Sequence, residues 1–330
     1  MKKKARAAVC ALIAVVLLMT QTLAASLIPV GRPVGVCMTA QGVVVSALTD
    51  VETASGTRRP AEQAGIRAGD ILLTANGVEL SSGEQLADLA ASGKTLQLTG
   101  LREEKNFSVS VTPVKSSRDH ACHIGLLVRD SMAGIGTITY IDPADGSFGA
   151  LGHAVCDVDS GVQLPLSSGL ITPAAVISVI KGRAGEPGEL IGSFEEMTHL
   201  GSLKKNTAYG IFGTLSDDRL YRTGNCMETA EEEQIHTGKA QILSCVSGEE
   251  PQYFDIKIEH IYRGAKDGRG MAIKVVDEQL IEKTGGIVQG MSGSPIIQDG
   301  KLVGAVTHVL VNDPTRGYGI FIENMLDAED

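Results

Sequence analysis

PAEQAGIRAGDILLTANGVEL, residues 60 to 80, is the densest run of turn and strand signals in the 330-residue chain. Pro60 presets the φ of a first helical turn, so Pro60 to Ala64 reads as a short helix. Gly65 and Gly69 turn the chain, Asp70-Ile71-Leu72 begins a strand, and Asn76-Gly77 is the hairpin signal that ends it. A second helix-like piece runs from Ser82 to Ala91, with Ser81 or Ser82 as its cap. The short apolar runs VGVCM, GVVVSAL, KTLQLTGL and FSVSVTPV surround these pieces, and residues 27 to 115 together read as one small α+β domain. KSSRDHACH, Lys115 to His123, is polar, has no apolar period and reads as a linker. Beyond it the runs IGLLV, GIGTITYI, AQILSCV, FDIKIEHIY and MAIKVV lead to a hairpin from Pro295 to Val309 across Asp299-Gly300. So many short strands predict a barrel or sandwich over residues 116 to 330.

Composition agrees with a mainly β chain. There are 39 Gly and no Trp, and aromatics are only 4%, a mix that suits tight turns better than helical bundles. At the N-terminus, Lys2, Lys3, Lys4 and Arg6 precede an apolar run from Ala7 to Met19 and the small residues Ala24, Ala25 and Ser26. Residues 1 to 26 therefore read as a signal peptide or membrane anchor, which places the rest outside the cytoplasm and at least transiently at a membrane. That segment carries four of the 29 basic residues and no acidic one, leaving 25 against the 39 acidic residues, a balance of −14. Such a charge excludes nucleic acid as a partner. Five Cys remain outside it, an odd number without a CxxC pair, so no disulfide follows from spacing. Asp119, His120, Cys122 and His123 cluster, but their spacing matches no zinc pattern, and no metal or cofactor is expected.

The chemistry is concentrated in GGIVQGMSGSPIIQDGKLVGAVTH, Gly285 to His308. A serine hydroxyl becomes a useful nucleophile only on a tight turn, beside a base and near backbone N–H groups aimed at the developing oxyanion. Gly290-Met291-Ser292-Gly293-Ser294-Pro295 has that form. Gly290 lets its own N–H and that of Ser292 point into one hole, and Gly293 leaves the hydroxyl unobstructed. Among seven His, those at 120, 123, 199, 236 and 260 lie in polar stretches. His153, in FGALGHAVCD, has small neighbours that allow close approach of another segment, and its imidazole titrates near neutral pH. His308 is the rival base, and Cys156 with His153 is a weaker thiol alternative, since the two point to opposite faces of one strand. For the carboxylate that would orient the base, Asp157, Asp159, Asp277, Asp299 and Asp313 all stand open, although turns account for Asp299 and Asp313.

Residues 60 to 80 resemble the PDZ family, whose members bind an extended peptide by strand addition. The resemblance implies a groove walled by Val34 to Met38, with Gly35, Val36 and Cys37 as peptide-binding residues. Gly-x-Ser-Gly-Ser-Pro resembles the nucleophile loop of chymotrypsin-like β-barrel serine peptidases. GALGHAVCDVDSG, the 285–308 stretch and the PDZ segment together resemble the stage IV sporulation protein B family of signalling serine peptidases. That resemblance implies a catalytic set of His153, Asp277 and Ser292, an oxyanion hole at Gly290 and Ser292, and self-cleavage. It further implies a membrane-embedded sporulation regulator as substrate, and action in the forespore intermembrane space. The competing expectation is a catalytically inert extracytoplasmic PDZ scaffold that binds a membrane partner.

Overall fold

The computed structural model describes residues 25–194, 197–216, 218, 224–265 and 267–329. The expected export segment, residues 1 to 26, lies outside them but for its last two residues. Among the described residues no helix is long and apolar enough to cross a membrane.

Strands dominate, and most of them close into two six-stranded rings. The first ring contains β1 (Pro33–Leu48), β2 (Leu126–Ile141), β3 (Ser147–Ala150), β4 (Leu166–Ile180), β5 (Gly201–Thr207) and β6 (Gly210–Leu215). All of its pairs are antiparallel: β1 with β2, then β3, β6, β5 and β4 in turn, and β4 back to β1. The second is a closed barrel of β7 (Gly238–Ser244), β8 (Gln252–Ile261), β9 (Met271–Val275), β10 (Pro295–Gln298), β11 (Lys301–Leu310) and β12 (Asp313–Phe321). Closure leaves no open sheet edge within either ring, and each fills with its own apolar core. Ile138, Ile141, Phe148, Leu164 and Ile171 fill the first, and Ile242, Ile256, Ile273, Met271 and Ile296 fill the second. A separate cluster of Leu27, Tyr140, Phe212, Leu302, Ile320, Ile322 and Met325 joins the barrels to the C-terminal helix Ile322–Glu329.

The PDZ unit is built between β1 and β2. Its short helix starts at Pro60 as read from sequence, followed by strands Ile71–Ala75, Leu96–Arg102 and Lys105–Val111 and by α1 (Gly83–Ala91), capped by the Ser82 hydroxyl. This corrects the expected domain boundaries. The stretch from residue 27 to about 42 lies before the PDZ unit and belongs to the first barrel, where Ile28, Val30, Val34, Val36, Met38 and Ala40 enter its core. The run Val43-Val44-Val45 is where one strand serves both units. Side chains alternate along a strand, so Val43 and Val45 pack into the PDZ core while Val44 packs into the barrel. A linker reading of residues 115 to 123 is likewise corrected, because Val114–Lys115 pairs with Cys122–His123 as a two-stranded ribbon.

Candidate active site

Ser292 enters from the second barrel, on the turn before β10. Gly290 and Gly293 both take left-handed backbone, φ +94° and +95°. The turn is fastened to the first barrel by two hydroxyls of β2: Thr137 Oγ1 donates to the Gly290 carbonyl and Thr139 Oγ1 to the Gly293 carbonyl, each at 2.8 Å. Gly293 N–H donates to Val306 on β11 at 2.7 Å. By contrast, the amides of Gly290 and Ser292 have no intramolecular acceptor among the described residues. Thr139 is fully buried, so Thr139→Val leaves the Gly293 carbonyl dry and unpaired. The expected loss is about 1–3 kcal/mol of stability, read by denaturant unfolding.

His153 enters from the first barrel, on the loop after β3. Two successive left-handed residues, Leu151 at φ +69° and Gly152 at φ +70°, swing the chain out of the strand and set the ring on its heading. Leucine rarely adopts that region, and such local strain is typical of functional turns. His153 and Ser292 line one cleft of about 460 Å³ between the barrels. The ring of His308 joins them, its centroid 5.4 Å from that of His153. The Ser292 hydroxyl donates to the Thr307 carbonyl at 2.8 Å, and His153 Nδ1 bonds the Ala154 carbonyl at 2.8 Å. Burial pushes His153 below the ordinary histidine range, opposed by that carbonyl. His308 is lowered too, first by burial and then by His153 and Arg269, with Asp267 acting the other way. Both shifts favour the neutral imidazole, the form that accepts a proton. Burial raises the Cys156 thiol, also at the cleft, which argues against a thiolate nucleophile.

The remaining lining is uncharged. Val36, Met38, Met132, Ile287, Val288 and Val309 are among its apolar side chains, and no Asp, Glu, Lys or Arg borders the cleft among the described residues.

Asp277 is not brought to this cleft. It is the N-cap of α2 (Glu278–Thr284): Oδ1 accepts from Leu280 N at 3.0 Å, and Oδ2 from Asp255 N at 3.3 Å. The resemblance implied a place for it in the catalytic set with His153, whereas here it does not line their cleft and its two oxygens bond at the start of α2. Asp277→Ala should cost about 1 kcal/mol of unfolding free energy, and Asp277→Asn only a few tenths, in chemical denaturation. The other carboxylates are committed as well. Asp157, fully buried, takes Ser46 Oγ at 3.0 Å, Ser160 N at 2.8 Å and the Arg129 guanidinium at 2.6 Å. Burial alone would raise its pKa, but those partners bring it below the usual carboxylate value. Asp159 pairs with Arg129, Asp299 with His236 and Asp313 with Arg316.

The expected peptide groove at Gly35, Val36 and Cys37 is also corrected. These residues lie in the first barrel, paired with Thr172, Ile171 and Leu170 on β4, and a Cβ at Gly35 would meet Thr172 and Phe194. The cavity beside α1, about 490 Å³, is instead lined by Leu86, Ala87 and Ala90 from the helix and by Ile124, Gly125, Leu126 and Val128 opposite. The run HIGLLV carried that information in sequence as a short apolar strand opened by a glycine, at φ +77° here. Sequence reasoning also missed Thr137, Thr139 and the Thr307 carbonyl, none of which belongs to a local motif.

Comparison with known proteins adds to this geometry. A family model described as SpoIVB peptidase S55 matches residues 120–326, and a PDZ domain model matches residues 53–99. Among solved structures, the PDZ domain of the SdrC-like protein from Listeria monocytogenes is similar at 22% identity. The match covers 27% of this chain and 90% of that chain, with a TM-score of 0.23. No curated protein matches.

Proposed function

The chain belongs to the SpoIVB peptidase S55 family and is a serine peptidase with a PDZ domain, and we propose that Ser292 and His153 carry its chemistry as an endopeptidase. Ser292 Oγ attacks the peptide carbonyl, while His153 takes its proton and returns it to the leaving amine. The amides of Gly290 and Ser292 stabilise the tetrahedral oxyanion. The observation that carries this reading is the meeting of Ser292 and His153, delivered by different barrels, in one cleft beside two uncommitted amides. Proton transfer requires the hydroxyl to leave the Thr307 carbonyl and turn to the imidazole.

An uncharged, aliphatic cleft suits an apolar stretch of substrate, as would be presented by a membrane-embedded regulator. The export-like N-terminus supports action outside the cytoplasm, in the forespore intermembrane space, and self-cleavage there is the first expected reaction. Mass spectrometry of fragments formed by the purified exported chain tests this: new N-termini following uncharged residues are expected, and an intact chain after prolonged incubation opposes it. One observation favours the inert-scaffold reading, namely the Ser292 hydroxyl held by Thr307. A serine-reactive phosphonate separates the two, since only an activated Ser292 becomes labelled.

The acidity of His153 fixes a pH prediction. Burial lowers its pKa, so the neutral base persists below the ordinary histidine value of about 6.5, and the acid limb of kcat/KM should fall below that pH. The same shift stabilises the fold fully above about pH 6.5, and that stability is lost as pH falls toward the depressed folded value. A limb midpoint above 7 contradicts the assignment of His153.

A further inference from the structure

We propose that Asn206 is the positioning residue of His153, acting through the single peptide group that joins Ala154 to Val155. The inference rests on the peptidase reading above. The carbonyl of that peptide group bonds His153 Nδ1 at 2.8 Å, and its N–H, that of Val155, donates to Asn206 Oδ1 at 2.9 Å. Asn206 Nδ2 donates to two further carbonyls, Val155 and Leu164, both at 2.9 Å. These contacts settle which end of the amide is oxygen, because only nitrogen can face two carbonyls. Val155 O also accepts from Leu164 N at 2.9 Å, so Asn206 clamps both arms of the loop that carries His153.

The clamp is itself fixed. Asn206 is the penultimate residue of β5 and pairs with Ile211 in the tight β5–β6 hairpin, a rigid part of the first barrel. The loop it holds is otherwise irregular. A base that works through Nε2 needs its proton on Nδ1 and the ring held at one angle. A carboxylate commonly does this, but those expected for the role, Asp157, Asp159 and Asp277, are bound to other partners. The Ala154 carbonyl takes that place, and donation from its own peptide N–H to Asn206 polarises it as an acceptor. Aspartate at 206 would face the Val155 and Leu164 carbonyls with lone pairs alone. Near-isosteric replacement is therefore harmful here, because the position needs two N–H donors as well as one acceptor.

Three full-length variants test the assignment. Asn206→Ala should lower kcat on a peptide substrate by on the order of 10²-fold with KM little changed, the signature of misoriented catalytic groups. It should also carry the acid limb of kcat/KM to lower pH, because the Ala154 carbonyl raises the basicity of His153 and is no longer held. Asn206→Asp should be as impaired as alanine. Asn206→Ser, which keeps an acceptor for Val155 N–H, should recover part of kcat, and it provides the measurement if alanine prevents folding. A folded variant with wild-type kcat overturns the inference. So does lost kcat with an unmoved acid limb, which would make Asn206 a structural clamp alone. Ser292→Ala is run alongside: hydrolysis surviving in that variant removes the peptidase reading itself, whereas its abolition with Asn206 variants unaffected removes only the role of Asn206.

Discussion

Ser292→Ala is expected to abolish peptide hydrolysis and self-fragmentation, with kcat down by on the order of 10⁶-fold, while the protein stays folded. The two effects separate because the hydroxyl makes one hydrogen bond, to Thr307 O, from a half-buried position. Its loss costs only about 1 kcal/mol of stability. Chemistry, by contrast, has no other nucleophile at that turn: Ser294 is fully buried and bonded to Ser244 Oγ at 2.9 Å. The backbone amides of Gly290 and residue 292 survive the substitution, so any remaining rate reports the oxyanion site and binding alone. Matching fragment patterns and phosphonate labelling from the wild type and the variant would transfer the protein to the inert-scaffold class.

Gly293→Ala should be the most damaging single-methyl change at the site. Residue 293 sits at φ +95°, outside the range that alanine adopts without strain. An added Cβ would lie 2.2 Å from the Thr137 carbonyl oxygen and 2.6 Å from Leu151 N. Both are backbone atoms of the first barrel, with no flexible end that can move aside. Relief requires the nucleophile turn to lift from β2, breaking the Thr139 bond to Gly293 O and displacing Ser292 from His153. The expected result is a loss of roughly 3 kcal/mol or more, a fall in Tm, and activity reduced beyond what the remaining folded fraction explains. Unchanged Tm and activity would show that the two barrels do not meet as described.

Local signals served the sequence reading well wherever a single turn or run decides the outcome. Pro60, Asn76-Gly77, the Ser82 cap and the Gly290–Pro295 turn were legible, because φ preference and capping act over a few residues. The capping signal at Asp277 was equally legible. An acidic residue opens EQLIEKT, and Gly285 closes it at φ +80° in the C-terminal position that favours glycine. Resemblance placed that residue in the catalytic set, whereas local physics gives its side chain to the helix. The groove failed for another reason. VGVCM and HIGLLV are both short apolar strands, and nothing local tells which of them lies beside α1.

What the sequence by itself determined is the set of local pieces: a mainly β chain, a PDZ segment, a tight Ser/Gly turn at Ser292 and a small-residue loop around His153. Only the tertiary structure decided that β1 belongs to the first barrel and that Val44 and its neighbours face opposite cores. The fold also decided that Ser292 and His153 share a cleft with His308 while Asp277 does not. The physical reason is that backbone conformation is set by neighbours in sequence, whereas the partner of a strand edge or a polar side chain is set by long-range closure. Residues 155 and 206 become neighbours only once the first barrel is shut, and 137 with 290 and 139 with 293 only once the two barrels meet.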